Sequence, residues 1–289
     1  MLTQFPLERL CVTHVGIGDL SISGASLRLK ILELVRCAVD VKISASSLTS
    51  LKYIGFGLSS LHLEHVPHLL SSLHLEHVPH LSELSVGTDD FCSTILQTDF
   101  LREGYVSRLK RLEFAMSAEE VRESVNYPLE FAISLDLEEL KVELHGENNP
   151  CFLWPVLLIK AAPFLRKFSA KIHYVHNKTD PTRQLHEEQL IPLRNAAKRV
   201  QHHRYLKTVE LDDYNNSSPC VAELVQHLLG VSDVLEQILV SPFYCRPEHA
   251  RIIKREAERI ATWLPPSSEA KLIINDMGVQ SRIGSFFNL

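Results

Sequence analysis

A six-residue pattern recurs nine times along the chain and limits what it can fold into. It opens with leucine and places apolar residues three and five positions later. Its copies are Leu7, Leu10 and Val12; Leu29, Leu32 and Leu34; and Leu51, Ile54 and Phe56. Next come Leu81, Leu84 and Val86; Leu109, Leu112 and Phe114; and Leu137, Leu140 and Val142. The last are Leu165, Phe168 and Ala170; Leu206, Val209 and Leu211; and Leu235, Ile238 and Val240. The fourth and sixth positions share one face of a strand because side chains alternate with a period of two. One such strand cannot bury its apolar face alone, so the copies must stack against one another.

Subtracting successive openings gives steps of 22, 22, 30, 28, 28, 28, 41 and 29 residues. Short strands at these intervals, with helical or irregular returns between them, predict an α/β leucine-rich-repeat solenoid. Its curved parallel sheet would be covered by helices and turns on the convex side and capped C-terminally. The 30-residue step contains an internal copy: the segment from Ser59 to Leu69 recurs from Ser71 to Leu81, twelve residues on. Twelve is too short for a full repeat, so the 59–82 region predicts a bulge or an extra short strand. The 41-residue step predicts an insertion loop over 173–204, polar around Pro181.

Helix signals fall between the strands. Ser117-Ala-Glu-Glu120 has the spacing of a capping box. Ser218-Pro219 predicts a helix carrying Val221, Leu224, Val225 and Leu228 and ending at Gly230. Pro247 opens another whose stripe is Ile253, Ala257, Ile260, Ala261 and Leu264, before Pro265 and Pro266. Lys271 to Asn275 reads as a closing strand. The expected organisation is a repeat region over 1–200 and a C-terminal cap over 201–289.

Composition narrows the function classes. Hydrophobic residues make up 45% and charged residues 22%, enough apolar side chain for a folded core. The net charge of −5 provides no global field for phosphate backbones. Cys11, Cys37, Cys92, Cys151, Cys220 and Cys245 show no metal-finger spacing and read as reduced core residues. The N-terminus has no secretory pattern, and the apolar run from Phe152 to Ile159 is too short to span a bilayer. A cytoplasmic or nuclear protein without membrane contact is expected.

Ile159-Lys-Ala-Ala-Pro-Phe-Leu-Arg-Lys-Phe168 resembles a segment of plant F-box/leucine-rich-repeat proteins. Three further stretches, 205–211, 223–229 and 234–240, resemble their C-terminal FBD-type region. The resemblance extends over roughly 1–275 and is most specific in the C-terminal third. It implies a substrate-recognition role in a ubiquitin ligase, in which an F-box would bind a Skp-type adaptor. The first repeat opens at Leu7, so adaptor binding is not expected of this chain. What remains is recognition of a protein partner, or a truncated remnant of an F-box gene without function.

No catalytic, cofactor or metal site is expected. The chain has no nucleophile elbow and no phosphate loop. His62, His65, His68, His74, His77 and His80 crowd the duplication, but no cysteine or paired carboxylate completes a metal site. They read as two copies of one polar strand and turn. Arg194, Lys198, Arg199, Arg204 and Lys207, with His202 and His203, form a basic run that would suit an acidic partner or RNA. With Tyr205 as its one aromatic, it offers little for stacking on bases. The outward third and fifth positions are the expected partner-binding face: Tyr53, Glu83, Arg111, Glu113, Glu139, Lys141, Lys167 and Glu210.

Overall fold

A computed structural model describes residues 7–14, 16, 18–24, 27–37, 39–55, 73–88, 106–117, 136–147, 154–175, 203–214, 219–232, 234–242, 258–259, 262 and 270–274. The chain forms an α/β structure in two compact units. One comprises Met1–Ser117 and Leu135–Leu137; the other comprises Ala118–Ser134 and Glu138–Leu289.

The first unit contains β1 (Arg9–Thr13), β2 (Gly18–Ser23), β3 (Ile31–Cys37), β4 (Val39–Ser44), β5 (Ser50–Gly55), β6 (Leu73–His77), β7 (Glu83–Thr88) and β8 (Arg111–Ser117). Strands β1, β3, β5, β7 and β8 pair in that order, all parallel. Strands β2, β4 and β6 form a second parallel sheet. The second unit contains β9 (Glu139–Glu147), α1 (Trp154–Ala161), β10 (Lys167–Val175), β11 (Thr208–Tyr214), α2 (Pro219–Val231), β12 (Gln237–Pro242) and β13 (Lys271–Ile274). Its five strands are also parallel and follow chain order.

The leucine ladder builds the core. In register, Leu32 lies beside Leu51, Leu51 beside Leu84, and Leu84 beside Leu112. In the second unit Phe168 sits between Leu140 and Val209, and Val209 beside Ile238. All eight of these side chains are buried. The opening leucines Leu29, Leu109, Leu137, Leu165 and Leu206 are completely buried. Full burial of one such side chain contributes about 2 kcal/mol. Leu7 departs from the expectation: it is 50% exposed.

One rung is out of phase with its sequence reading. Leu51 pairs with Leu32 and Tyr53 with Leu34, so they hold the fourth and sixth positions, and Leu48 is the opening leucine. Leu48 and Leu51 are buried, and Tyr53 is only 2% exposed. Tyr53 therefore belongs to the core and not to the face expected to meet a partner, whereas Ile54 alternates to the other side. A Cβ on Gly55 would lie 3.5 Å from the Tyr53 ring, an ordinary van der Waals contact, so the ring packs directly over this position.

The return path depends on how much chain is available. With the corrected opening, the first coils run from Leu7 to Leu29 and from Leu29 to Leu48, steps of 22 and 19 residues. A strand advances about 3.3 Å per residue and a helix about 1.5 Å. Six-residue β2 and 13-residue α2 therefore both cover about 20 Å. Short coils can fit only the strand; longer ones, such as Leu137 to Leu165 and Leu206 to Leu235, have room for the helix. Strand β4 follows β3 after a single residue, and Arg36 turns this corner at φ 56°. His14, its counterpart one coil earlier, has φ 58°, and its ring lies 3.3 Å from the Arg36 guanidinium. The left-handed region is uncommon for residues other than glycine, and stacking repeats it here.

The return enters the next strand through a repeated β-turn. Leu48, Leu81 and Leu165 donate their backbone N–H to the carbonyls of Ala45, Val78 and Ala162, at 3.1, 3.2 and 3.1 Å. Pro79 and Pro163 occupy the second turn position, where the backbone torsion that the proline ring imposes suits the geometry. His203 and Ser232 occupy the first position in later coils and are also buried.

The predicted helix at Pro219 and the closing strand at Lys271 are present. Leu224, Val225 and Leu228 are buried on α2, which continues one residue past Gly230. The expected extra strand in the duplication is β6, formed by its second copy. Ser117 ends β8, and the segment it was expected to cap lies outside the described residues, as do the first copy and the insertion between 176 and 202. Of the helix expected after Pro247, the described residues Glu258, Arg259 and Thr262 are helical. Because β6 and its turn use one copy, deleting residues 59–70 leaves a step of 33−12, or 21, residues between Leu48 and the next opening leucine. The deletion should change stability by less than about 1 kcal/mol, as read from urea unfolding.

Candidate functional site

The face of each sheet opposite the core carries the remaining predicted residues. In the first unit Glu83 lies beside Arg111, and Ser85 beside Glu113. The Arg111 guanidinium is 3.4 Å from the Glu83 carboxylate, both well exposed. At the other edge of the same five strands, Arg9 on β1 and Glu33 on β3 form a 2.8 Å ion pair. Exposed pairs of this kind contribute roughly 0–1 kcal/mol. They order a charged surface more than they hold the fold together. Cys11 is also exposed here, contrary to its reading as a core residue, whereas Cys37 is buried. Partial burial and the neighbouring Glu33 carboxylate push the Cys11 thiol above its ordinary pKa and lower its reactivity.

The second unit presents a more closely tied array. Glu139 lies beside Lys167 and Lys141 beside Ser169, which lies beside Glu210. Glu210 accepts a 2.8 Å hydrogen bond from the Ser169 hydroxyl and lies 2.8 Å from Lys167 Nζ. Further along the strands, Glu143 Oε1 accepts from Lys171 Nζ at 3.2 Å and from His173 Nε2 at 2.7 Å. These three side chains are only 28, 24 and 18% exposed. Asp212 is in register with Lys171 and half-buried.

Sequence reading stopped at the sixth residue of each rung and missed Glu143, Lys171, His173 and Asp212. A signal for them exists. Strands β9 and β10 run for nine residues, and their alternation continues through Leu144 and Ile172, both buried. The groups beyond the sixth position therefore share the open face.

This array does not assemble a nucleophile. Ser169 and His173 are four residues apart on one strand, about 13 Å, and the Ser169 hydroxyl is held by Glu210. Among the described residues no group of three or more histidine, cysteine, aspartate or glutamate side chains could hold a metal ion. His80 is exposed in its turn, and the other duplicated histidine side chains are not among those described. No helix among the described residues is long and apolar enough to cross a membrane.

The basic run changes character where it is described. His203 is buried: its Nε2 donates to the Ala162 carbonyl at 2.8 Å, and its Nδ1 accepts from the amides of Leu206 and Tyr205 at 3.1 and 3.3 Å. Burial drives its pKa below the ordinary histidine value, outweighing the bond to Ala162. It is a neutral fastening between two coils and gives no charge to a ligand. Lys207 is committed to Glu236 at 2.6 Å. Arg194, Lys198, Arg199 and His202 lie outside the described residues. No protein-family model matches the chain, and neither curated proteins nor solved structures yield a match.

Proposed function

We propose that the chain is a non-enzymatic protein-interaction module that binds a protein partner on the open faces of its parallel strands. The observation that carries this reading is the cluster of Glu143, Lys171 and His173 in the second unit. Its charges are partly desolvated and held in fixed mutual positions. Such groups favour a partner of complementary charge and reject one of like charge. Lys167, Ser169 and Glu210 extend the same face, and their mutual bonds limit the side-chain entropy lost on binding. The resemblance of 159–168 and 205–240 to plant F-box/leucine-rich-repeat proteins suggests the partner's class: a protein selected for ubiquitination. In this reading the chain supplies selection of that protein. A solenoid with a concave binding side is the finer architecture that goes with it.

The test exchanges charges without removing them. E143K/K171E retains an ion pair on the same strands but reverses its direction. The variant should unfold within about 1 kcal/mol of the parent. In proximity labelling it should lose the parent's enriched protein neighbours. An unchanged set of neighbours would overturn the proposal.

A further inference from the structure

The turns that lead into β10, β11 and β12 expose one apolar side chain each, at the residue before the opening leucine. These are Phe164, Tyr205 and Val234, exposed by 49, 47 and 41%. They occupy the same position in successive coils of the second unit, so stacking aligns them along the rim where the strands begin. The Phe164 and Tyr205 rings are 5.9 Å apart at an angle of 48°. Nothing in the core explains this column: the adjacent Leu165, Leu206 and Leu235 are the residues that fill it. Arg166 and Arg204 flank the two rings, both exposed and without an ion-pair partner among the described residues. The nearby Lys207, by contrast, is already paired with Glu236.

We infer that this rim is a second docking surface, distinct from the open face, for an acidic peptide segment carrying an aromatic or leucine anchor. The paired rings supply a rigid apolar contact of the type that dominates interface energetics, and the two guanidiniums suit bidentate carboxylates. A nucleic acid fits less well. The tilted rings leave no parallel slot for a base. The position of Arg166 is held by Glu138 one coil earlier and by Glu236 two coils later, so a continuous phosphate chain would run onto carboxylates on both sides. A short peptide with one or two acidic residues avoids both.

The experiment selects a random-heptapeptide phage library on the full chain. Selected sequences should combine Asp or Glu with Phe, Trp or Leu. F164S/Y205S should weaken the best peptide about tenfold or more. Both side chains are half exposed, so a circular dichroism spectrum and unfolding midpoint close to the parent's are expected. R166E/R204E keeps the rings and should shift selection toward basic peptides. E143K/K171E should bind as the parent does, which separates this rim from the open face. Three results would overturn the inference: no peptide that depends on these residues, an oligonucleotide bound more tightly through them, or self-association of the chain abolished by F164S/Y205S.

Discussion

Tyr53→Asp is expected to destabilise the first unit by about 5 kcal/mol, whereas Ile54→Asp, one residue away, costs about 1 kcal/mol. Tyr53 is 2% exposed and lies between Leu34 and Val86 in the sheet register. Its replacement removes a buried ring and places a carboxylate among aliphatic side chains. Ile54 lies between Val35 and Gly87 on the opposite face and is half-buried. The sequence alone suggests the reverse order, because Leu51, Ile54 and Phe56 satisfy the repeat pattern as well as Leu48, Leu51 and Tyr53 do. Urea unfolding of the two variants decides between the registers: a greater loss with Ile54→Asp would refute the one described here.

The second large effect is at His203. His203→Phe fills similar space but leaves the Ala162 carbonyl and the Leu206 and Tyr205 amides without this partner. A buried polar group stripped of its partner costs roughly 1–3 kcal/mol, so a loss of about 3 kcal/mol is expected. The parent should also show a pH dependence that the variant lacks. Burial holds the folded pKa of His203 below its ordinary value of 6.5. Well above pH 6.5 the imidazole is neutral in both states and contributes no slope. As the pH falls below 6.5, the unfolded chain binds a proton that the folded chain resists. Stability then declines by up to about 1.4 kcal/mol per pH unit, until the lower folded pKa is reached. Protonation would also set an N–H at Nδ1 against two amide donors. The informative quantity is the difference in slope between parent and His203→Phe from pH 7 to 5. Equal slopes would show that His203 is not held neutral by the fold.

Much of the strand framework was legible because leucine spacing reports the stacking period directly. The rungs at Leu29, Leu81, Leu109, Leu137, Leu165, Leu206 and Leu235 lie where the pattern places them, as does the helix at Pro219. The β2–β4–β6 sheet was not anticipated, although Leu20 and Ile22 alternate with serines, and Val41 and Ile43 flank Lys42. A search for leucine-led rungs passes over such strands. Coil length was the better guide, since a coil as short as Leu29 to Leu48 leaves no room for a helical return. The apolar run from Phe152 to Ile159 carries no helix signal of its own beyond Pro155, which in the first turn is compatible with the helix that forms from Trp154. Of the expected surface, the charged residues stand on the open face and Tyr53 does not. His203 shows the limit of reading composition: a histidine among arginines counts as basic until its acceptor and donors are seen.

The nearest-neighbour character of the pairing has a mechanical consequence. Each strand's extensive contacts are with the strands beside it. A unit pulled from one end therefore need not yield as a whole: its outermost strand can peel away while those behind it keep their bonds. The load is released in instalments, each as long as one coil, and a coil that has come loose can settle back onto the edge still standing.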